Sequence, residues 1–201
     1  MAWTRNVLRV NLTEGTVSVE PLNMEWASQY LGQRGLASKY LVEEIDPRCD
    51  ALGPDNKMIM VTGPLTGTMA STGGRYSVVC KSPLTGTIAC SNSGGYIGAE
   101  LKNAGWDMII FEGKSPLPVY LYIRDDKAEL LDATQLWGQS AWKTDDLLHQ
   151  IHQEPQARVA CVGRSAEAGC LYSGVINDLH RAAGRSGVGT VMASKNLTAV
   201  I

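Results

Sequence analysis

The alternation of apolar and polar side chains is clearest at the beginning of the chain. Residues 6–13 and 16–22 alternate on either side of Glu14-Gly15, and this pattern predicts a β-hairpin. Short runs rich in apolar and β-branched residues predict further strands at 57–63, 75–81, 106–113, 119–125 and 157–163. Strands therefore dominate both ends of the chain.

Four segments between these strands carry the signals of short helices. They are predicted over 23–31, 35–45, 97–105 and 140–153. Asn23 and Ser140 are good N-cap residues, and Gly105 is a good residue just past a helix end. The helix over 97–105 follows Gly94-Gly95, so its amino end would add N–H groups and a positive dipole end to that glycine pair. Together with the strands, these helices predict one compact α+β unit.

Composition narrows the class of protein. The chain has 201 residues, a formal net charge of −2 and 44% hydrophobic residues, with a mean hydropathy of −0.08. This charge argues against nucleic-acid binding, which usually needs a basic face. No apolar run approaches the roughly 18 residues of a membrane helix. The N-terminus also lacks the apolar region of a secretory signal. We expect a cytoplasmic protein without a membrane span.

Cysteine and histidine residues form no recognisable metal motif. The five cysteines are scattered and contain no C-x-x-C pair: Cys49, Cys80, Cys90, Cys161 and Cys170. We expect them to be reduced and mostly buried. His149 and His152 lie three positions apart on a predicted helix, where they could share a face. Because no third ligand is nearby, we expect them to lie on a solvated helix edge.

The most informative motif is a repeated pentapeptide. Pro-Leu-Thr-Gly-Thr occurs at 64–68 and again at 83–87, and each copy precedes a glycine pair, Gly73-Gly74 and then Gly94-Gly95. Proline presets φ and glycine tolerates positive φ, so each copy predicts a tight turn. Glycine also lets backbone N–H groups approach a ligand closely. The two loops predict a cradle for an anion such as phosphate, and a pair of ordinary hairpin turns remains the alternative.

A second candidate binding loop lies near the C-terminus. Arg181 and Arg185 flank two alanines and Gly184, and Gly187 and Gly189 follow. Arginine forks match the oxygens of phosphate, and small residues between them leave room for a ligand. A surface loop without a ligand would have a similar composition. The chain ends within an apolar segment that is typical of a strand, so we expect more polypeptide to follow.

These motifs resemble the aldehyde ferredoxin oxidoreductase family in order and spacing over essentially the whole chain. The resemblance is carried by VTGPLTGT, STGGRYSVVCKSPLTG, SNSGGYIGAELKNAGWDMIIFEGK, PVYLYI, LWG and INDLHRAAGRSGVG. It implies that residues 1–201 form the family's N-terminal, tungstopterin-binding domain. The implied fold is α+β and internally duplicated, with two mixed six-stranded β-sheets and short helices. Segments 23–41 and 53–57 favour the aldehyde-oxidising branch over the benzoyl-CoA reductase branch.

The resemblance also implies a set of cofactor contacts. The matching positions are Arg75, Asn92, Gly94, Arg181, Ala182 and Gly184. Arg75 is expected at a pterin phosphate. The Asn92 side chain and the Ala182 carbonyl are expected at a magnesium ion that bridges the two phosphates. Neutral oxygen donors with water suit this hard cation.

The sequence departs from the family pattern at several loops. Gly163–Ala168 reads GRSAEA where the family usually has GPAGEN, Ala193 replaces a glycine, and Ser186 replaces the glycine usual after Arg185. If one of those glycines required a positive φ, a β-carbon there would cost about 1 kcal/mol. We therefore expect these substitutions to affect loop shape more than ligand contacts.

The resemblance implies an activity that these residues do not complete. The complete enzyme would oxidise an aldehyde to a carboxylic acid at tungsten, or less often molybdenum, held by two pterins. Its electrons would pass through a [4Fe–4S] cluster to ferredoxin or an iron–sulfur subunit, with homo-oligomerisation left open. The cluster's cysteine motif and the family's acid–base residues are absent here, so we assign no catalytic residue. A non-catalytic phosphate- or pterin-binding module and a degenerate structural domain remain alternatives.

Overall fold

The computed structural model describes residues 2–201, which form two six-stranded sheets. The first sheet has the strand order β2-β1-β6-β3-β4-β5. In chain order its strands are β1 (Asn6–Asn11), β2 (Thr16–Pro21), β3 (Met58–Val61), β4 (Tyr76–Lys81), β5 (Ile88–Ser93) and β6 (Met108–Glu112). Strands β1 and β6 are parallel and every other neighbouring pair is antiparallel, so the sheet is mixed.

The second sheet follows in the chain with the order β11-β10-β9-β12-β7-β8. Its strands are β7 (Val119–Arg124), β8 (Lys127–Asp132), β9 (Ala160–Cys161), β10 (Val175–Asn177), β11 (Arg181–Ala183) and β12 (Leu197–Val200). Its only parallel pair within the described residues 2–201 is β7 with β12. Counted within each half, the strand order is the same in both sheets. The predicted duplication of two mixed six-stranded sheets is confirmed.

Six short helices connect the strands within residues 2–201, and four of them lie at matching places in the two halves. They are α1 (Met24–Tyr30), α2 (Gln33–Glu44), α3 (Ile97–Asn103), α4 (Ala141–His152), α5 (Arg164–Glu167) and α6 (Val188–Ser194). Helices α2 and α4 follow the first hairpin of each half, and α3 and α6 precede its last strand. The longest have 12 residues, and no helix among residues 2–201 is long and apolar enough to cross a membrane.

The predicted helix ends are confirmed by their capping contacts. The Asn23 side chain accepts a hydrogen bond from Trp26 N at 3.0 Å. The Ser140 hydroxyl accepts one from Lys143 N at 3.3 Å. Gly105 lies just past α3 with a φ of +98°, in the region where glycine is favoured. Local chemistry therefore fixes where these helices begin and end.

The main hydrophobic core lies between the two halves. It joins residues of β1, β3, β4 and β6 to residues of β7, β9, β12 and α6, among them Phe111, Leu121 and Val191. Two smaller clusters lie under α1 and α2 and under α4. Lys195 is also buried, at 1% exposure, and its Nζ donates to the carbonyl oxygens of Asn56 and Gly113. The halves thus share one core and a buried ammonium.

The two Pro-Leu-Thr-Gly-Thr copies do not correspond to the duplication, which corrects our expectation that they occupy equivalent turns in two sheets. The first copy connects β3 to β4 and the second connects β4 to β5, so both belong to the first sheet. Gly67 and Gly86 both have positive φ, at 78° and 72°. The repeated pentapeptide therefore forms two tight turns of the same sheet, each with its glycine at positive φ. By topology, the counterpart of the first copy is the β9–β10 connection that contains α5.

Candidate functional site

The glycine pairs and the C-terminal loop meet at one open depression. Gly73, Gly74, Gly95, Tyr96 and Arg181 line this depression, which has a volume of about 600 Å³. The three segments come from the β3–β4 connection, the β5–α3 connection and the β10–β11 hairpin. Part of the expected convergence is therefore present: Gly73, Gly74, Gly95 and Arg181 meet here, whereas Gly94 and residues 182–189 do not line the depression.

Close packing of backbone explains the glycines in this depression. A β-carbon on Gly74 would lie 2.5 Å from the carbonyl oxygen of Gly95. A β-carbon on Gly95, which has a φ of +97°, would lie 2.1 Å from Asp178 Oδ2. Both separations are far shorter than a van der Waals contact, so neither position has room for a side chain. The glycines hold the loops of the two halves against each other.

Arg75 and Asn92 contact each other directly beside the depression, although Arg181 is the one predicted contact residue that lines it. Arg75 Nε donates a hydrogen bond to Asn92 Oδ1. The Asn92 amide nitrogen has three acceptors, namely Tyr76 O at 3.0 Å, Ser77 Oγ at 3.2 Å and Gln33 Oε1 at 3.3 Å. These acceptors fix the orientation of the amide and direct its oxygen towards the exposed guanidinium of Arg75. A β-carbon on Gly94 would lie 3.6 Å from Arg75 Nη1.

The first pentapeptide copy holds the backbone of Arg75. Thr66 Oγ1 donates to the Arg75 carbonyl oxygen at 3.1 Å and accepts from Gly63 N at 2.9 Å. Gln33 Nε2 donates to the same Arg75 carbonyl at 3.2 Å. Sequence reasoning missed Gln33, because it precedes the predicted helix and lies 42 positions from Arg75. Its backbone φ of 44° places it in a region unusual for a residue with a side chain.

In the second half, β11 presents the other predicted residues. Arg181, Ala182 and Gly184 are exposed, whereas Ala183 is buried. Arg181 makes no side-chain hydrogen bond or ion pair with any other residue in the range 2–201. This part of the chain was predicted as a loop, but residues 175–183 form the β10–β11 hairpin. Its turn contains Asp178 and Leu179 at φ values of 46° and 59°.

Edge strands β5 and β11 lie against each other and bring Asn92 and Ala182 to corresponding places. Each is the last but one residue of its strand. Arg185 N donates to Ser91 Oγ at 2.9 Å, and Ser82 Oγ donates to the Ser186 carbonyl at 2.8 Å. The six predicted contact residues thus occur as two sets of three, one on each half.

A buried polar cluster that sequence reasoning missed joins the two sets. Asn177, at 1% exposure, accepts hydrogen bonds at Oδ1 from Ser93 Oγ at 2.6 Å and from Tyr76 OH at 3.2 Å. Its amide nitrogen donates to the Gly94 carbonyl at 2.9 Å. Burial raises the pKa of Tyr76, so its hydroxyl remains a donor. Neighbouring Asp178 Oδ2 accepts from Tyr96 N at 2.8 Å. No local motif in the sequence signals this long-range cluster.

The loops that depart from the family pattern keep defined shapes. Ser186 has a φ of +61°, so the residue that replaces the usual glycine adopts a conformation that favours glycine. The GRSAEA segment forms α5, and Ala166 packs into the core. Arg164 Nε donates to the Gly138 carbonyl at 2.6 Å. Neither the GRSAEA segment nor Ser186 lines the depression.

None of the cysteines lines this depression, nor do His149 and His152, whereas His180 does line it. All five cysteines are free, but only Cys80 and Cys161 are buried, so the expectation of mostly buried thiols was wrong for the other three. Burial raises the pKa of Cys80 and of Cys161 to about 12. His149 and His152 are half-buried and hydrogen-bonded rather than on a solvated edge. Residues 2–201 contain no group of three or more His, Cys, Asp or Glu residues arranged to hold a metal ion.

The fold and the site define a duplicated α+β domain with paired loops of glycine and arginine. The family described as "Aldehyde ferredoxin oxidoreductase, N-terminal domain" matches residues 7–201. The chain therefore belongs to the aldehyde ferredoxin oxidoreductase family, and the resemblance noted in the sequence is confirmed.

Known relatives agree with this assignment. The chain is 52% identical to a tungsten-containing aldehyde ferredoxin oxidoreductase of Pyrococcus abyssi over 97% of the chain and 32% of that protein. It is 36% identical to an aliphatic sulfonate oxidoreductase, WOR-like subunit, of Pyrococcus furiosus over 100% of the chain and 34% of that protein. The chain thus spans about a third of the length of these curated relatives.

A solved structure has the same fold. It is the active site complex BamBC of benzoyl coenzyme A reductase in complex with 1,5 dienoyl-CoA, with a TM-score of 0.96 and 39% sequence identity. The similarity covers 99% of this chain and 30% of that one. The duplicated architecture is therefore shared by proteins whose names describe different reactions.

Proposed function

We propose that this chain is the cofactor-binding N-terminal domain of an oxidoreductase that converts aldehydes to carboxylic acids. In this proposal residues 1–201 hold one side of a tungsten, or less often molybdenum, bis-pterin cofactor, and the rest of the polypeptide completes the enzyme. The 52% identity to a tungsten-containing aldehyde ferredoxin oxidoreductase, against 39% for the benzoyl coenzyme A reductase complex, favours aldehydes as the substrate class.

The observation that carries the proposal is the pairing of two half-sites on one face. Each half of the duplicated fold contributes an arginine, a residue one place before a strand end, and a following glycine. These are Arg75, Asn92 and Gly94 in one half, and Arg181, Ala182 and Gly184 in the other. A ligand made of two phosphate-bearing halves needs such a repeated set of donors. Ordinary hairpin turns would need neither the pairing nor the exposed guanidinium groups.

The residues present fit the phosphates of such a cofactor. The backbone of Gly94 and Gly184 is open to close approach, because a β-carbon on either would meet only one atom within 4 Å, Arg75 Nη1 at 3.6 Å and Ala182 Cβ at 3.7 Å. Arg181 has no protein partner among residues 2–201 and can direct its planar fork at phosphate oxygens. Arg75 contacts only a neutral amide oxygen through its side chain, which an anion can replace or share.

A magnesium ion would take the Asn92 side-chain oxygen and the Ala182 carbonyl as ligands. Neutral oxygen atoms together with phosphate oxygens and water suit this hard cation. The contacts of the Asn92 amide nitrogen with Tyr76 and Ser77 keep Oδ1 directed outwards. In the present structure that oxygen accepts from Arg75. The bound state would therefore require Arg75 to turn towards a phosphate.

The chemistry itself would belong to the cofactor and to the remaining polypeptide. When bound, the tungsten bis-pterin group supplies the two-electron oxidation of the aldehyde. This chain's residues bind and orient the group and shape the charge around its phosphates. We place the [4Fe–4S] cluster in the remaining polypeptide, with ferredoxin or an iron–sulfur subunit as electron acceptor. A cytoplasmic location and a homo-oligomer are part of the same proposal.

The proposal is tested in the complete polypeptide by replacing one arginine from each half. Arg75→Ala and Arg181→Ala should each lower the pterin and tungsten content, because each removes a charge-assisted contact of about 1.5–3 kcal/mol. Arg48→Ala is a matched control, since the Arg48 side chain is 89% exposed and pairs only with nearby Asp46. Wild-type cofactor content in both site variants would contradict the assignment.

A further inference from the structure

A second cavity lies between the two halves and is separate from the glycine-loop depression. It has a volume of about 460 Å³, within the range typical of small-molecule sites. Its walls come from α3, the end of β7, the segment 152–158 that includes the end of α4, and the end of β12. None of the six residues proposed to contact the cofactor lines it.

The lining of this cavity is apolar at its base and aromatic on one side. Ile97, Leu101 and Val200 belong both to the lining and to the main core. The rings of Tyr122 and His152 are stacked with centroids 4.1 Å apart and planes 6° apart. His152 Nε2 is also 3.0 Å from Tyr120 OH, so the imidazole is held on two sides. The wall is thus preformed, flat and suited to an apolar chain or ring.

Arg158 supplies a cationic group that no protein acceptor satisfies. Its guanidinium carbon lies 4.6 Å from the centroid of the Tyr96 ring. Its Nε is buried and has no hydrogen-bond partner, and its side chain forms no ion pair with the rest of residues 2–201. Buried polar groups normally have partners. An acceptor on a bound ligand would supply one to this guanidinium.

The other charges on the lining lie at the exposed rim. Glu100, Asp125 and Glu154 are exposed, as is Arg124, so water screens them. Arg158 is half-buried, so its charge is less screened by water than the charges at the rim. It is therefore the group best placed to hold an anionic ligand. The cavity therefore combines a cationic anchor, an aromatic wall and an apolar base.

We propose that this cavity binds a small carboxylate that carries an apolar chain or ring. The carboxylate accepts hydrogen bonds from the Arg158 guanidinium, and the apolar part packs against Ile97, Leu101 and the stacked Tyr122 and His152 rings. The cavity shares no lining residue with the six proposed cofactor contacts, so the two proposals are tested separately. A neutral apolar ligand would use the base and the wall without needing Arg158.

The test is a titration of the complete polypeptide, labelled at tryptophan, with 3-phenylpropionate, followed by NMR. The indole N–H of Trp106 is a local reporter, because it donates to the carbonyl of Asp125 on the rim at 3.2 Å. We expect a saturable shift of this signal. The affinity derived from it should fall about ten-fold or more in Arg158→Met, because a charge-assisted contact is lost. The matched control is Arg124→Met, an exposed arginine on the same rim, which should change the affinity less than about three-fold.

Two further measurements separate the proposal from its alternatives. The neutral analogue 3-phenylpropanol should bind at least about ten-fold more weakly than the carboxylate. Arg158→Lys keeps the charge and should retain more affinity than Arg158→Met, which guards against a loss caused by misfolding. Equal binding of acid and alcohol, or unchanged affinity in Arg158→Met, would overturn the site. So would the absence of a saturable shift in the complete polypeptide, where another segment would then fill the cavity.

Discussion

The two halves of this molecule share a strand order but differ in how they hold their polar residues. In the first half, Arg75 and Asn92 are held by Thr66, Gln33 and Ser77 through side-chain hydrogen bonds. In the second half, Arg181 has no side-chain partner among residues 2–201, and Ala182 has no polar side chain. Arg75 and Asn92 of the first half are therefore fixed by hydrogen bonds, whereas the Arg181 side chain of the second half is free of such contacts within residues 2–201.

In this duplicated scaffold the backbone geometry is therefore kept more strictly than the side-chain chemistry. Backbone position relative to a strand end is the same for Asn92 and Ala182. Only the first of these residues adds a side-chain oxygen, while the second offers its carbonyl. A two-part ligand can thus meet equivalent backbone with different chemistry on its two sides.

The largest effect on stability is expected at Asn177, the buried amide that joins the halves. Asn177→Ala removes hydrogen bonds to Tyr76, Ser93 and Gly94 and leaves buried hydroxyl groups unpaired. The free energy of unfolding should fall by roughly 3 kcal/mol. Ser28→Ala is the control, because this exposed serine bonds only to the nearby Glu25 carbonyl, and it should cost less than about 0.5 kcal/mol. Urea denaturation measures both, and equal losses would disprove the special role of Asn177.

A smaller effect is expected from the pH dependence that Lys195 introduces. Burial lowers the pKa of Lys195 from 10.5 to about 8. Between these values the unfolded chain binds more protons than the folded chain, so stability rises with pH. The rise between pH 8 and 9 should be below about 1 kcal/mol, because buried thiols that begin to lose protons in the unfolded chain oppose it.

Above pH 9 this trend should reverse. The pKa values of Cys80 and Cys161 are raised from 9.0 to about 12, so there the folded chain retains protons that the unfolded chain loses. Lys195→Met should abolish the rise between pH 8 and 9, and Cys80→Ala should keep it. Urea denaturation at several pH values would check both, and an unchanged rise in Lys195→Met would assign the pH dependence to another group.

Much of the fold could be predicted from local sequence patterns. The hairpin around Glu14-Gly15, the strands with continuous apolar runs and the helices capped by Asn23 and Ser140 all follow from nearby residues. Strand β5, with the sequence IACSNS, was missed as a strand because its polar residues resemble a loop. It pairs with β4 along its whole length, and this tertiary pairing overrides local propensity.

The candidate site was predicted through its glycines and arginines but not through its supports. Arg75, Asn92 and Arg181 lie in motifs whose chemistry is local and visible in the sequence. Gln33 and Asn177 act on residues 59 and 83 or more positions away, so no spacing rule could connect them. The β10–β11 hairpin was also hidden, because strands of three residues are too short to produce a clear alternation.

The smallest expected effect concerns strain at Ser186 in the second half. With a φ of +61°, Ser186 occupies a conformation that costs a residue with a β-carbon about 1 kcal/mol relative to glycine. Ser186→Gly should therefore raise the free energy of unfolding by up to about 1 kcal/mol, with its backbone carbonyl still accepting from Ser82. Ser28→Gly, within helix α1, should instead lower it by about 0.5–1 kcal/mol. Thermal unfolding of the two variants gives the sign directly. If both serine-to-glycine changes lower the free energy of unfolding, then the positive φ of Ser186 does not cost stability and the prediction is wrong.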